Sequence, residues 1–146
     1  MSALLGSSYC HWKLAFGYLR LEWKEIEVLS KLPRLEVLKL FDSMEGEEWE
    51  VSENVKFCKL ICLRISSLNF KYWEASAYHF PRLERLLLHD CYQLTEIPNS
   101  FVEIPTLNLI ELSSCLASAV MSAKQIQAEQ HDWGNDDMVV IENDTI

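Results

Sequence analysis

The chain has 146 residues, a net charge of −9 and 22 leucines, about 15% of the whole. That length fits one domain and excludes a TIM barrel or a two-lobed kinase. Its four glycines, at 6, 17, 46 and 134, never fall at the spacing of a phosphate-cradling loop, which excludes nucleotide binding by these residues.

In chain order, residues 1–12 match no recognisable element; they hold a short apolar patch without the basic start of a signal peptide. From residue 13 a repeat begins. Leu14-Ala15-Phe16, Leu38-Lys39-Leu40, Leu63-Arg64-Ile65, Leu86-Leu87-Leu88 and Ile110-Glu111-Leu112 share an apolar-x-apolar form at steps of 24, 25, 23 and 24 residues. Alternation over the core predicts a short strand with every second side chain buried. Leu35, Leu60, Leu83 and Leu107 precede the last four cores by three residues, and Leu32, Phe57, Phe80 and Ile104 precede those by three more. That spacing predicts a turn feeding each strand, stiffened by Pro33, Pro81 and Pro105. The stretch from Leu86 to Pro98 fits LxLxxCxxLxxIP, a leucine-rich-repeat unit. Cys91 and Cys115 are expected as buried thiols closing the turn after the strand.

Between the strands, Trp23, Trp49 and Trp73 recur at 26 and 24 residues and are expected to pack beneath the outer, convex loops. The acidic run from Glu45 to Glu50 is expected as a solvated loop. From Leu116 to Gln130 the repeat stops, and Ala117, Val120, Met121, Lys124, Gln125 and Ala128 take helical spacing without Gly or Pro. A helix there would cap the open end of a coil. A turn at residues 131–137 follows, then a possible last strand at Met138–Ile141 and a frayed end. The expected fold is therefore α/β: a leucine-rich-repeat solenoid of about five coils over 13–115, short parallel strands on its concave face, a capping helix at 116–131 and an acidic tail at 132–146. Leu14, Phe16 and Leu21 are expected at an uncapped, open first coil.

Charge and cysteine narrow the function. Residues 1–85 hold twelve acidic and twelve basic side chains, whereas 86–146 hold ten acidic ones and only Lys124 as a base. An acidic end does not suit phosphate neutralisation or an anionic membrane surface, so neither nucleic acid nor membrane is an expected partner. No apolar run approaches the roughly 20 residues of a membrane span. Five cysteines, at 10, 58, 62, 91 and 115, are an odd set at irregular spacing, which suits free thiols in a reducing, cytoplasmic compartment. No triad, nucleophile elbow or acid–base pair is readable, so an enzyme is not expected. Cys58, Cys62, His89 and Cys91 are the only near-metal pattern. Cys62 and His89 are expected on exposed strand positions, with Cys91 turned away, so no metal or cofactor is expected. His11 and His79 read as ordinary surface or boundary residues.

A recognition module would bind through the residues flanking the buried leucines. These are Tyr18, then Val37, Lys39 and Phe41, then Arg64 and Ser66, then Arg85, Leu87 and His89, then Leu109, Glu111 and Ser113. Phe41 and Leu87 are large apolar residues on a face otherwise expected to be wet, which suggests a contact surface or cover by a neighbouring domain.

These strings resemble a known family. Lys24-Glu25-Ile26 onward to Leu40, Glu45–Glu50, Phe80–Leu86 and Ser122–Gln127 are similar to the C-terminal leucine-rich-repeat region of plant intracellular nucleotide-binding disease-resistance proteins, in the late-blight-resistance subgroup. The likeness covers roughly residues 14–141. It implies a piece of a longer receptor. Its protein partner would be a pathogen effector or the receptor's own nucleotide-binding module, which the repeat region restrains. A structural piece completing a longer solenoid, or a repeat adaptor outside immunity, are the alternatives.

Overall fold

The structure, a computed structural model, describes residues 12–17, 20–42 and 44–146. Tyr18 and His11 lie outside them. In chain order the elements are β1 (Lys13–Gly17), β2 (Leu21–Glu22), helix α1 (Trp23–Glu27) running into a 3-10 turn (Val28–Lys31), β3 (Val37–Phe41), β4 (Met44–Glu45), β5 (Glu48–Glu50), β6 (Cys62–Ser66), β7 (Tyr72–Glu74), β8 (Arg85–His89), β9 (Leu109–Ser113), helix α2 (Ala117–Asp132) and β10 (Val139–Asn143). Further 3-10 turns occupy Ala77–His79 and Asn99–Glu103. The class is α/β. One six-stranded sheet runs β1-β3-β6-β8-β9-β10, and every neighbouring pair is parallel.

All five strands expected from the repeat form, in the expected phase. Leu14, Leu38, Leu63, Leu86 and Ile110 stand opposite one another across the sheet, and so do Phe16, Leu40, Ile65, Leu88 and Leu112. From Leu38 to Leu112 these two rows are fully buried, each side chain contributing about 1.5–3 kcal/mol of transfer free energy. Phe16 and Leu21 are buried as well, although the sequence suggests an open first coil.

The turn before β3, β6, β8 and β9 is a four-residue hydrogen-bonded turn. The N–H groups of Leu35, Leu60, Leu83 and Leu107 donate to Leu32, Phe57, Phe80 and Ile104. Three of the four carry proline at the second position, where its fixed φ suits the bend.

The exit from each strand uses a device that the repeat spacing does not show. Asp42, Ser67, Asp90, Ser114 and Asp144 immediately follow β3, β6, β8, β9 and β10, and each takes a φ between 48° and 57°. A short polar side chain tolerates that left-handed conformation better than a branched one. The first four then donate their N–H to the last carbonyl of the next strand: Ser66, His89, Ser113 and Asn143, at 2.8–3.2 Å. One residue further on, the Cys91 thiol donates to Ile65 O and His89 O, both 3.6 Å, and that of Cys115 to Leu88 O at 3.4 Å. Both cysteines are fully buried, as expected for turn-closing thiols.

Opposite the sheet, the tryptophans form a stack. Trp23 and Trp49 lie 4.4 Å apart at 10°, and Trp49 and Trp73 lie 5.6 Å apart at 5°. All three are buried, as their recurrence suggests. The acidic run is not simply a solvated loop. Met44–Glu45 pairs with β2 and Glu48–Glu50 pairs with β7, each pair parallel, and the second sets Trp49 opposite Trp73.

Helix α2 matches its expected span, but its inward face differs. Ala119, Val120, Ala123, Ile126 and Gln130 are buried, while Met121 is 70% exposed and Ala117 and Ala128 face water. A buried glutamine hides this stripe from a hydropathy reading. Gln130 donates to the carbonyls of Val102 and Ile104 and accepts from Asn135 at 2.7 Å. The acidic tail is likewise not frayed: β10 pairs with β9 as a sixth strand, and Ile146 N–H donates to Cys115 O.

Candidate functional site

The period-two pattern that buries the leucines must place the intervening residues on the opposite face of the sheet. Lys39, Arg64, Leu87 and Glu111 form one row across β3, β6, β8 and β9; Phe41, Ser66, His89 and Ser113 form the next. Val37, Cys62, Arg85 and Leu109 form a third. Eleven of the twelve sequence candidates thus share one continuous surface. Tyr18 is outside the described residues. On β1 the described outward positions are Lys13, Ala15 and Gly17, partners of Val37, Lys39 and Phe41.

Phe41 is half-buried because its ring lies over Gly17. A Cβ built at Gly17 would sit 2.0 Å from that ring, so the glycine makes room for the aromatic cover. Between β3 and β6, Lys39, Leu40, Phe41, Arg64 and Ser66 line a pocket of about 300 Å³.

Three polar side chains link successive strands. Arg64 Nη2 lies 3.3 Å from His89 Nδ1, and His89 Nε2 lies 2.6 Å from Glu111 Oε2. Arg64 can only donate, so Nδ1 accepts and Nε2–H donates to the carboxylate. That tautomer satisfies both partners and fixes the direction of the guanidinium.

Lys39 is held below the usual lysine pKa, first by the nearby Lys13, then by burial and by Arg64. Cys62 is buried, not exposed as its strand position suggests. Burial pushes its thiol pKa up, and Arg85, Lys39 and Arg64 pull the other way. Among the described residues, no group of three or more His, Cys, Asp or Glu could hold a metal ion.

No protein-family model matches the chain. Individual relatives do. The late blight resistance protein homolog R1B-13 of Solanum demissum is 43% identical over 106 residues, which is 71% of this chain and 9% of that protein. R1B-16 of the same plant is 39% identical over 126 residues, 84% of this chain and 10% of that protein. R1B-12 is 41% identical over 120 residues, covering 81% and 9%. This chain is a relative of those resistance protein homologs. It spans about one tenth of their length.

Among the described residues, no helix is long and apolar enough to cross a membrane. The other flank, with the tryptophan stack, holds two groups that sequence reasoning missed. Glu27 is buried and accepts from Ser52 Oγ at 2.8 Å, Ser52 N–H at 3.0 Å and Trp49 Nε1–H at 3.4 Å. His79, expected as a surface or boundary residue, is buried too. Its Nδ1 accepts from Ser76 N–H at 2.9 Å, and its Nε2 meets Ser52 O at 3.1 Å. Burial lowers its pKa, against smaller opposing effects of Ser52 and Glu27. Spacing from the tryptophans, 23 to 27 and 73 to 79, was the only sequence signal for either.

Proposed function

We propose that this chain is a protein-interaction module of a plant disease-resistance receptor. It is a non-catalytic, cytoplasmic leucine-rich-repeat solenoid whose outward sheet face docks a protein. One observation carries the reading. The repeat holds three in-register rows of outward side chains on strands locked by a fully buried leucine core. A rigid sheet presenting variable side chains at fixed spacing is a recognition surface that asks for no chemistry of its own. The likeness to late blight resistance protein homologs supports the setting.

The partner in this reading is a pathogen effector or the receptor's own nucleotide-binding module, which the face would hold in its resting state. The test is co-purification of the chain with the nucleotide-binding module of a matched relative, co-expressed in trans. Reversing Lys39, Arg64 and Arg85 to glutamate should abolish capture and leave the circular dichroism spectrum unchanged. Capture that survives all three reversals in a folded protein overturns the reading.

A further inference from the structure

The outward face of the first four sheet strands is unusual for this chain. It has twelve outward positions, and in a protein with 22 acidic residues none of the twelve is acidic. Four are cationic: Lys13, Lys39, Arg64 and Arg85. Lys39 and Arg64 are direct cross-strand partners. Like charges placed opposite each other destabilise a sheet. Among the described residues none of the four makes an ion pair with a carboxylate. The lowered pKa of Lys39 is the same unrelieved crowding. Placing Lys39 opposite Arg64 therefore costs the fold something, and a bound anion would relieve it.

We infer that the Lys39–Arg64 pocket and its flanking cations, Lys13 and Arg85, bind a short acidic segment of a protein partner, laid across the strands. This rests on the reading of the outward face as the contact surface, and it names the chemistry that surface takes. The geometry selects the ligand. Three strand steps separate β1 from β8, about 14 Å at roughly 4.8 Å per step. An extended peptide places same-side residues about 6.8 Å apart, so a Glu-x-Glu-x-Glu segment spans the cations. The pocket under Phe41 accepts one carboxylate beside the guanidinium that His89 orients. Acidic residues border the strip at both strand ends: Glu36 and Glu84 before the strands, Asp42 and Asp90 after them. That border and the net charge of −9 repel a long polyanion such as nucleic acid, which needs many more cations.

The test uses the full chain and a fluorescent octapeptide of alternating Glu and Ser, followed by anisotropy at low salt. Saturable binding is expected, weakening as salt shortens the screening length below about 10 Å. Lys39→Gln with Arg64→Gln should weaken it about tenfold or more, while Glu96→Gln on the opposite flank should not. An alternating Lys-Ser octapeptide should not bind. No saturable Glu-Ser binding, equal binding by the double variant, or tighter binding of an octathymidylate each overturns the inference. Loss of module capture on triple reversal, with no peptide binding, refutes the acidic ligand and keeps the contact face. Peptide binding with capture indifferent to reversal supports the anion site and refutes the contact face.

Discussion

The two flanks of the molecule treat charge in opposite ways. On the tryptophan flank, the buried Glu27 carboxylate meets three donors from a neighbouring unit, and the buried His79 ring is satisfied at both nitrogens. On the outward sheet face, Lys39 and Arg64 sit side by side, with no carboxylate ion-pair partner among the described residues. Charge that holds a fold together is satisfied within the chain; charge left unsatisfied at the surface is available to something else. The comparison sets a structural first flank against a second that is the proposed contact face, and each half can be broken separately.

The largest effect is expected at Glu27. Glu27→Ala leaves the partly buried Ser52 N–H and hydroxyl and the buried Trp49 N–H without their acceptor. Such a loss costs about 2–4 kcal/mol, read as a lower urea midpoint with an unchanged slope. Glu27→Gln, which keeps the shape and one acceptor oxygen, should lose distinctly less. Equal loss in both variants would mean that packing, not the carboxylate, ties the units together.

A smaller effect is expected at His79. Its folded pKa lies below the ordinary 6.5, so the folded chain binds fewer protons than the unfolded one in the interval between the two values. The contribution of the neutral ring is whole above about pH 6.5 and is lost as pH falls from there through the folded value. His79→Gln keeps an acceptor for Ser76 and a donor for Ser52. The drop in urea midpoint between pH 7.5 and 5.5 should therefore shrink in the variant. An undiminished drop would place the titrating group elsewhere and weaken the contrast between the flanks.

The fold was legible because leucine burial and strand alternation are local signals repeated five times. Leu38, Leu63, Leu86 and Ile110 each announce the same strand. The sixth strand was only half visible, since Glu142 occupies a position that is Phe, Leu or Ile in the other five strands. At the sheet edge, Glu142 can turn to Lys124 instead, at 2.7 Å. The burial of Gln130 was invisible because a polar residue reads as exposed until its two carbonyl partners are known. Asp42, Ser67, Asp90 and Ser114 stand at fixed positions after each strand, but Asp and Ser are common enough that their shared left-handed backbone shows only in the structure. Alternation placed the outward candidates. The repeat phase that aligns Leu38-Lys39-Leu40 with Leu63-Arg64-Ile65 also sets Lys39 opposite Arg64, as the register has it, but it could not show Lys13 or the His89 and Glu111 contacts beside them.

The smallest effect carries the most discriminating sign. Lys39 is crowded by Lys13 and Arg64, so Lys39→Gln removes a repulsion while keeping most of the aliphatic stem. If the cations serve a ligand, this variant should unfold at the same urea concentration as the wild type or a higher one, while losing affinity for the acidic octapeptide. Lys124→Gln gives the opposite expectation: it breaks the exposed pair with Glu142 and should lower the midpoint slightly, if at all, without touching peptide binding. A Lys39 variant that is less stable than the wild type would show that the lysine supports the fold after all, and the division between a self-satisfied flank and an open one would then fail at its central residue.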